Sequence, residues 1–298
     1  MASPYNDLDR PPLDEHNLQR ALMVPPSQLD DPDSALERGE LSARGFAALR
    51  VLPEVDSTNA ILAEAADDGA PHGSVVIAEV QTAGRGRQGR AWTAPPRSGL
   101  FLSILARPTA PQAAWGWLPL LAGLAAGTAL TRIGGLEVKL KWPNDLIVPS
   151  ETATDYGTGR KLGGILCERV SGAPAVVVGI GVNVTLREDE LPAPHATSLA
   201  LAGAKTTDRD PLLRALLREF GSWYERWDEA GGDGGRSGLA DAYRAECATL
   251  GARVRADLPG GASISGTAVG IDEAGRLVIE DGDGACRPIA AGDVVHLR

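Results

Sequence analysis

EVKLKWPND (residues 137–145), LIV (146–148), KLGGILCERV (161–170) and APAVVVGIGVNV (173–184) follow one another in the middle of the chain. The first run alternates charged and apolar residues and stops at a Pro-Asn-Asp turn, which makes LIV its hairpin partner. The last two runs are rich in β-branched residues and meet at the turn-forming SGAP (171–174). Parallel neighbours need a crossover of about a dozen residues or more, whereas antiparallel neighbours need only a turn. Strands arriving as hairpins therefore predict a mixed, largely antiparallel sheet backed by helices, an α/β (α+β) fold, rather than a doubly wound sheet.

Outward from this block the signals are regular. DSTNAILAEAADDGA (56–70) reads as a helix that Asp56 or Ser57 can cap and Gly69 stops. SVVIAEVQ (74–81) and GLFLSILAR (99–107) read as buried strands. AAWGWLPLLAGLAAGTAL (113–130) is the most apolar stretch, but its run after Pro119 is only about half of what a bilayer needs. It is a core helix, and no membrane partner is expected. DPLLRALLREFGSWYERWDEA (210–230) carries apolar residues at helical spacing, and LADAYRAECATL (239–250) is a shorter helix after the flexible GGDGGRSG (231–238). The tail, from ARVRADLP to GDVVHLR, consists of short strands punctuated by PGG, DEAG and GDG, the habit of a small β-barrel. The chain divides into a polar, partly flexible extension (1–45), a main unit (46–247) and a small C-terminal domain (248–298). Helices are predicted near 14–23 and 35–43.

The 298 residues include 43% hydrophobic ones, enough for a substantial core, and the formal net charge is −10. That field repels phosphate, so nucleic acid gains nothing from the chain as a whole. Three scattered cysteines without C-x-x-C spacing indicate neither a disulfide framework nor zinc, and fit a reducing cytoplasm.

QTAGRGRQGRAW (81–92) is the exception to the acidic balance. It contains G-x-G-x-x-G, but no helix can start in the RAWTAPPRSG that follows Gly89, which removes the dinucleotide-binding reading. A nucleic-acid arm is weakened by the acidic chain and by a 4% aromatic content. A solvated turn would not gather three arginines in six positions. A mobile anion clamp remains: glycine lets the backbone approach a ligand, and Arg85, Arg87 and Arg90 make charge-assisted contacts. Their mutual repulsion predicts a loop that is loose until a polyanion arrives. KWPND places Lys141, Asn144 and Asp145 at a strand end. Lys161 opens the next strand, and Asn183 lies in an apolar one, where its amide must either tie down backbone or read a ligand edge.

DSTN (56–59), QTAGRGRQGRAW (81–92), KWPND (141–145), KLGGIL (161–166) and GIGVNV (179–184), in this order and spacing, resemble biotin protein ligases from about residue 50 to the C-terminus. The resemblance implies a sheet related to class II aminoacyl-tRNA synthetases and an SH3-like C-terminal domain. It implies an ATP-dependent ligase that makes biotinoyl-5′-AMP from biotin and Mg-ATP, then passes biotin to a lysine of a biotin carboxyl carrier domain of an acyl-CoA carboxylase. By position it assigns Ser57, Thr58, Asn59, Gln81, Arg85, Gly86, Arg87, Lys161, Gly163 and Gly164 to biotin. Arg87, Arg90, Trp92, Lys141, Asn144, Asp145, Lys161 and Asn183 fall to ATP or the adenylate, with Asp145 also the candidate ligand for Mg2+. Lys161, Arg85, Arg87 and Asp145 are the expected catalytic groups. No histidine falls in the matched motifs, so either Asp145 or a water helps to deprotonate the acceptor lysine, or local positive charge lowers the amine's pKa.

Two departures stand out. PSETATDYGTGR (149–160) is longer and more polar than a hairpin needs, and residues 1–45 lack a winged helix-turn-helix. The chain is therefore expected to be the short form without DNA binding, a monomer or weak homodimer. The alternatives are a lipoate or octanoate ligase or transferase, which shares the fold, and a biotin-responsive DNA-binding repressor.

Overall fold

The computed structural model describes residues 10–23, 46–154, 157–258 and 260–297. Seven strands, β1 (Ala48–Leu52), β2 (Ser74–Ala78), β3 (Gly99–Ala106), β4 (Lys139–Lys141), β5 (Asp145–Thr154), β6 (Gly157–Arg169) and β7 (Val176–Asn183), form one sheet in the order β1-β2-β3-β7-β6-β5-β4. β1 and β2 run parallel, and every other neighbour pair is antiparallel. The hairpins β4–β5 and β6–β7 are those expected from the turns. The polar insert 149–160 extends the β5–β6 hairpin, with Pro149 opposite Gly159 and Thr154 opposite Gly157.

Helix α1 (Glu15–Met23) lies beside the edge strand β1, where Gln19 Nε2 donates to the Leu49 carbonyl and Glu15 accepts from the Val51 N–H, at 2.8 and 2.7 Å. These contacts take up backbone groups that an edge strand would otherwise leave unpaired. The helix expected at 35–43 lies outside the described residues. Helix α2 (Thr58–Asp67) is capped by Ser57, whose hydroxyl accepts from the Ala60 N–H, while Asp56 instead accepts from the Thr82 hydroxyl. α2 covers part of one sheet face, packing Leu62 and Ala66 on Val76, Leu105 and Val177.

The opposite face carries the main core. Helix α3 (Leu118–Gly134) and helix α4 (Arg209–Glu229) bury Leu121, Leu124, Leu213, Leu216 and Phe220 against it. Each such side chain contributes roughly 1.5–3 kcal/mol by leaving water. The stretch Gln112–Gly134 is long and apolar enough to cross a membrane, yet 72% of its most apolar window is buried inside the fold. It is the core helix expected from Pro119.

Helix α5 (Leu239–Glu246) leads into β8 (Arg253–Asp257), β9 (Ser263–Ile271), β10 (Leu277–Asp281), β11 (Cys286–Ile289) and β12 (Asp293–His296). They form an antiparallel sheet in the order β11-β10-β9-β8-β12, consistent with an SH3-like domain. Two tryptophans plug its junction with the larger sheet. Trp117 Nε1 donates to the Glu273 carbonyl (2.8 Å) and Trp142 Nε1 to that of Gly275 (3.1 Å). Trp142 precedes a cis peptide bond to Pro143, in the turn between β4 and β5.

Candidate functional site

In β7, Val177, Gly179, Gly181 and Asn183 share one face, because side chains alternate along a strand. Val177 is the residue that α2 covers. Beyond the helix N-terminus the same face turns to glycine, continued on β6 by Gly164 opposite Gly181. A cavity of about 490 Å³ occupies the space left by the missing side chains, within the usual range for ligand sites. The glycines are required by contact rather than by φ. A Cβ on Gly179 would stand 2.3 Å from Asn59 Oδ1, and one on Gly181 would stand 2.8 Å from Trp92 Cε2.

At one end the start of α2 meets the end of β2. The Thr58 N–H and hydroxyl both donate to Gln81 Oε1, at 2.8 and 3.1 Å. Ser103 Oγ, which is wholly buried, lies 2.7 Å from Thr58 Oγ1 and 2.6 Å from Asn59 Oδ1. Asn59 Nδ2 donates to Glu168 Oε2 (2.7 Å) and to the Leu166 carbonyl. These amides and hydroxyls form a preset polar cluster on a rigid framework, the arrangement that reads a small polar head group.

The Arg/Gly loop folds over the cavity as a short hairpin. Arg85 bridges Ala91, the Gly86 N–H donates to the Arg90 carbonyl (2.7 Å), and a 3-10 turn spans Arg87–Gly89. The expected repulsion is met by giving each guanidinium its own partner. Arg85 pairs with Glu168 at 3.3 Å. Arg87 donates to Asn144 Oδ1 (3.0 Å) and to the Gly292 carbonyl (3.2 Å). Arg90 pairs with Asp293 at 3.0 Å. The loop thus rests on the turn before β12, so the C-terminal domain forms part of its seat. Burial lowers the Arg87 pKa, while Asp293 and Asp145 act against that fall.

At the other end Lys161 Nζ lies 2.7 Å from Asp145 Oδ1 and 5.8 Å from the centre of the Trp92 ring. The Trp92 indole N–H is buried and has no hydrogen-bond partner among the described residues. Asn144 links the two ends: its carboxamide oxygen accepts from Arg87 and its Nδ2 donates to the Ile165 carbonyl at 3.0 Å. Asn183 Nδ2 donates to the Thr197 carbonyl (2.9 Å), so the amide ties down backbone while the residue still lines the cavity.

Of the residues singled out from sequence, Ser57, Thr58, Asn59, Gln81, Arg85, Gly86, Arg87, Arg90, Trp92, Asn144, Lys161, Gly164 and Asn183 line this one cavity. Three do not. Asp145 stands behind Lys161 at 9% exposure. Gly163 faces the Gly181 carbonyl and Leu146, not the cavity. Lys141 turns away and donates to the Val294 carbonyl at 2.5 Å, its pKa lowered by burial. Sequence reading also missed lining residues. His195, Pro192, Ala193 and Ala196 form a wall, held where the Lys161 N–H donates to the His195 carbonyl at 2.7 Å. The segment ELPAPHA (190–196) around them carries no motif, so only its pairing with Lys161 reveals it.

Residues 51–184 match the family described as Biotin/lipoate A/B protein ligase family, and residues 249–297 match the Biotin protein ligase C terminal domain. The chain is 41% identical to the biotin--[acetyl-CoA-carboxylase] ligase of Mycobacterium tuberculosis, over 97% of each protein. It is 33% identical to the bifunctional ligase/repressor BirA of Escherichia coli, over 83% of this chain and 73% of that protein. The solved biotin protein ligase from Aquifex aeolicus in complex with biotin and ATP superposes with a TM-score of 0.68, at 31% identity, over 85% of this chain and all of that one.

Proposed function

The chain belongs to the biotin protein ligase family, and from that premise we propose how its residues divide the work. It is an ATP-dependent ligase that activates biotin as biotinoyl-5′-AMP and transfers it to a lysine of a carboxylase carrier domain. The observation that carries this reading is the convergence of Arg85, Arg87 and Lys161 on one glycine-floored cavity beside the Thr58–Asn59–Gln81 cluster.

Thr58, Asn59 and Gln81 take the polar ring end of biotin, with Ser57 at the helix start and Gly164 and Gly179 leaving room for the ring. Lys161 and Arg87 stand where the biotin carboxylate meets the α-phosphate. In the first step a carboxylate oxygen bonds to the α-phosphorus, and the bond to pyrophosphate breaks. Both reactants are anions, so cations fixed beforehand in a partly desolvated site lower the barrier, and no covalent enzyme intermediate is needed. Asp145 holds Lys161 in place through its 2.7 Å contact. Trp92 and the hairpin cover the nucleotide, while Arg90 docks the cover onto Asp293. In the second step the acceptor amine bonds to the acyl carbon, AMP leaves, and Asp145 or a water takes the amine proton.

Mg2+ enters with ATP as part of the substrate and neutralises phosphate charge. Among the described residues no group of three acidic, histidine or cysteine side chains could hold a metal. Asp145, the expected ligand, stands behind Lys161 and outside the cavity lining, so its carboxylate serves Lys161 rather than the ion.

We also propose that the chain acts without DNA binding and as a monomer or weak homodimer. Residues 10–23 are spent on belting the sheet, and both sheet edges are occupied, β1 by α1 and β4 by a bridge from Leu140 to Cys247. The free thiols of Cys167, Cys247 and Cys286 suit a reducing cytoplasm. Incubation with biotin, Mg-ATP and a carrier domain, read by intact mass, tests the function. One biotinoyl group on the carrier is expected; its absence, or labelling with lipoate instead, rejects the reading.

A further inference from the structure

Arg10 is 4% exposed, and arginine is rarely buried without partners. Its Nε and Nη2 donate to the Thr185 hydroxyl (3.1 Å) and carbonyl (2.8 Å). Nη1 and Nη2 donate to the two Glu190 carboxylate oxygens, at 3.2 and 2.5 Å. The fork is bidentate, and its partners lie 175 and 180 residues away along the chain. Glu190 also accepts from the Arg187 N–H at 2.9 Å.

Thr185 and Glu190 bracket the turn that carries the chain from Asn183 to the cavity wall at 192–196. The far side of that wall is fixed to the sheet by main-chain bonds, from Lys161 N–H to the His195 carbonyl and from Thr197 N–H to the Lys161 carbonyl. The near side is gripped by Arg10. The grip is itself anchored: Arg209 donates to the Pro11 carbonyl (2.6 Å), the Leu13 N–H donates to Glu79 (2.7 Å), and Glu79 and Arg209 form a buried ion pair at 2.6 Å. Glu79 directly follows β2, and Arg209 also reaches the Gly99 carbonyl at the start of β3. Residues 10–13 therefore run across the same sheet end onto which the cavity opens.

We infer that Arg10 is a positioning residue: the segment 10–13 is a strap that holds the 185–196 turn as a wall of the cavity, setting nucleotide affinity without touching the nucleotide. The inference rests on the proposed function, which places the α-phosphate of ATP at Lys161 and the nucleotide under Trp92, in the cavity that Asn183 also lines. Breaking one side of a buried pair leaves the other charge uncompensated, so the turn should loosen rather than repack.

The test is steady-state adenylation kinetics together with amide hydrogen exchange. Arg10→Ala is expected to raise KM for ATP about tenfold, with kcat at saturating ATP within about twofold and faster exchange at residues 186–194. Arg10→Lys, which keeps the charge but not the fork, should fall between the two. Glu190→Gln breaks the same pair from the wall side, and the double variant should be no worse than the worse single one. Should Arg10→Ala lose its circular-dichroism signal, Glu190→Gln decides by the same KM. A folded variant with wild-type KM and unchanged exchange overturns the strap, as does a loss of kcat alone. Failure of the wild-type protein to biotinylate a carrier rejects the functional reading instead, and the exchange data then judge the strap by themselves.

Discussion

Gly181→Ala tests whether Trp92 seals the nucleotide end of the cavity. The added Cβ would lie 2.8 Å from Trp92 Cε2 and 2.9 Å from Cζ2. Carbon atoms in good contact stand about 3.5–4.0 Å apart, so the ring must retreat by roughly 0.7 Å. Gly181 does not have a positive φ, so alanine brings no backbone strain and the effect is steric. Overpacking of this size costs about 1–3 kcal/mol. Trp92 sits on the hairpin whose outer contacts, Arg87 to Gly292 and Arg90 to Asp293, are partly exposed, and exposed pairs hold weakly. The hairpin should therefore lift before the strand bends. The cost then appears in closure over the ligand, raising KM for ATP by about five- to a hundredfold, while Tm falls by no more than ~10 °C. Pyrophosphate exchange at varied ATP, alongside a thermal melt, measures both. A clear fall in Tm with unchanged KM would show that Trp92 and the nucleotide do not share that space, and would refute the reasoning.

Three further outcomes are expected. Asp145→Asn removes the carboxylate 2.7 Å from Lys161 and should slow transfer from preformed biotinoyl-AMP by about a hundredfold or more; a wild-type single-turnover rate would exclude Asp145 from that step. Arg87→Gly deletes the bonds to Asn144 and Gly292, so biotinoyl-AMP should escape and label bystander lysines; labelling confined to the carrier in a mass-spectrometric survey would contradict the closure argument. Burial beside Lys141 lowers the His296 pKa from 6.5 to about 4. Between those values the unfolded chain binds the extra proton, so the stability present above pH 6.5 is lost progressively as pH falls towards 4. Urea melts from pH 7 to 4.5 should show this slope, and His296→Gln should flatten it.

The sheet was legible because its signals are local. SGAP, the Pro-Asn-Asp turn and the strand-length apolar runs each act within about ten residues, and they dictate hairpins whatever the rest of the chain does. Pro119 and the length of the run after it likewise announced a core helix. The cavity was legible where chemistry is written in a short motif, as in three arginines among glycines. Tertiary structure decided what depends on distant pairing. Lys141 and Asp145 share a five-residue motif with Asn144, yet neither lines the cavity, because Lys141 spends its ammonium on Val294 and Asp145 stands behind Lys161. Glu168 and Ser103 organise the polar cluster without any marking sequence pattern. His195 reaches the cavity only through a bridge to Lys161, and Arg10 finds its partners across 175 residues or more. Such contacts leave no periodicity, because either partner alone looks like an ordinary surface residue. Their chemistry exists only once the sheet has brought its strand ends together.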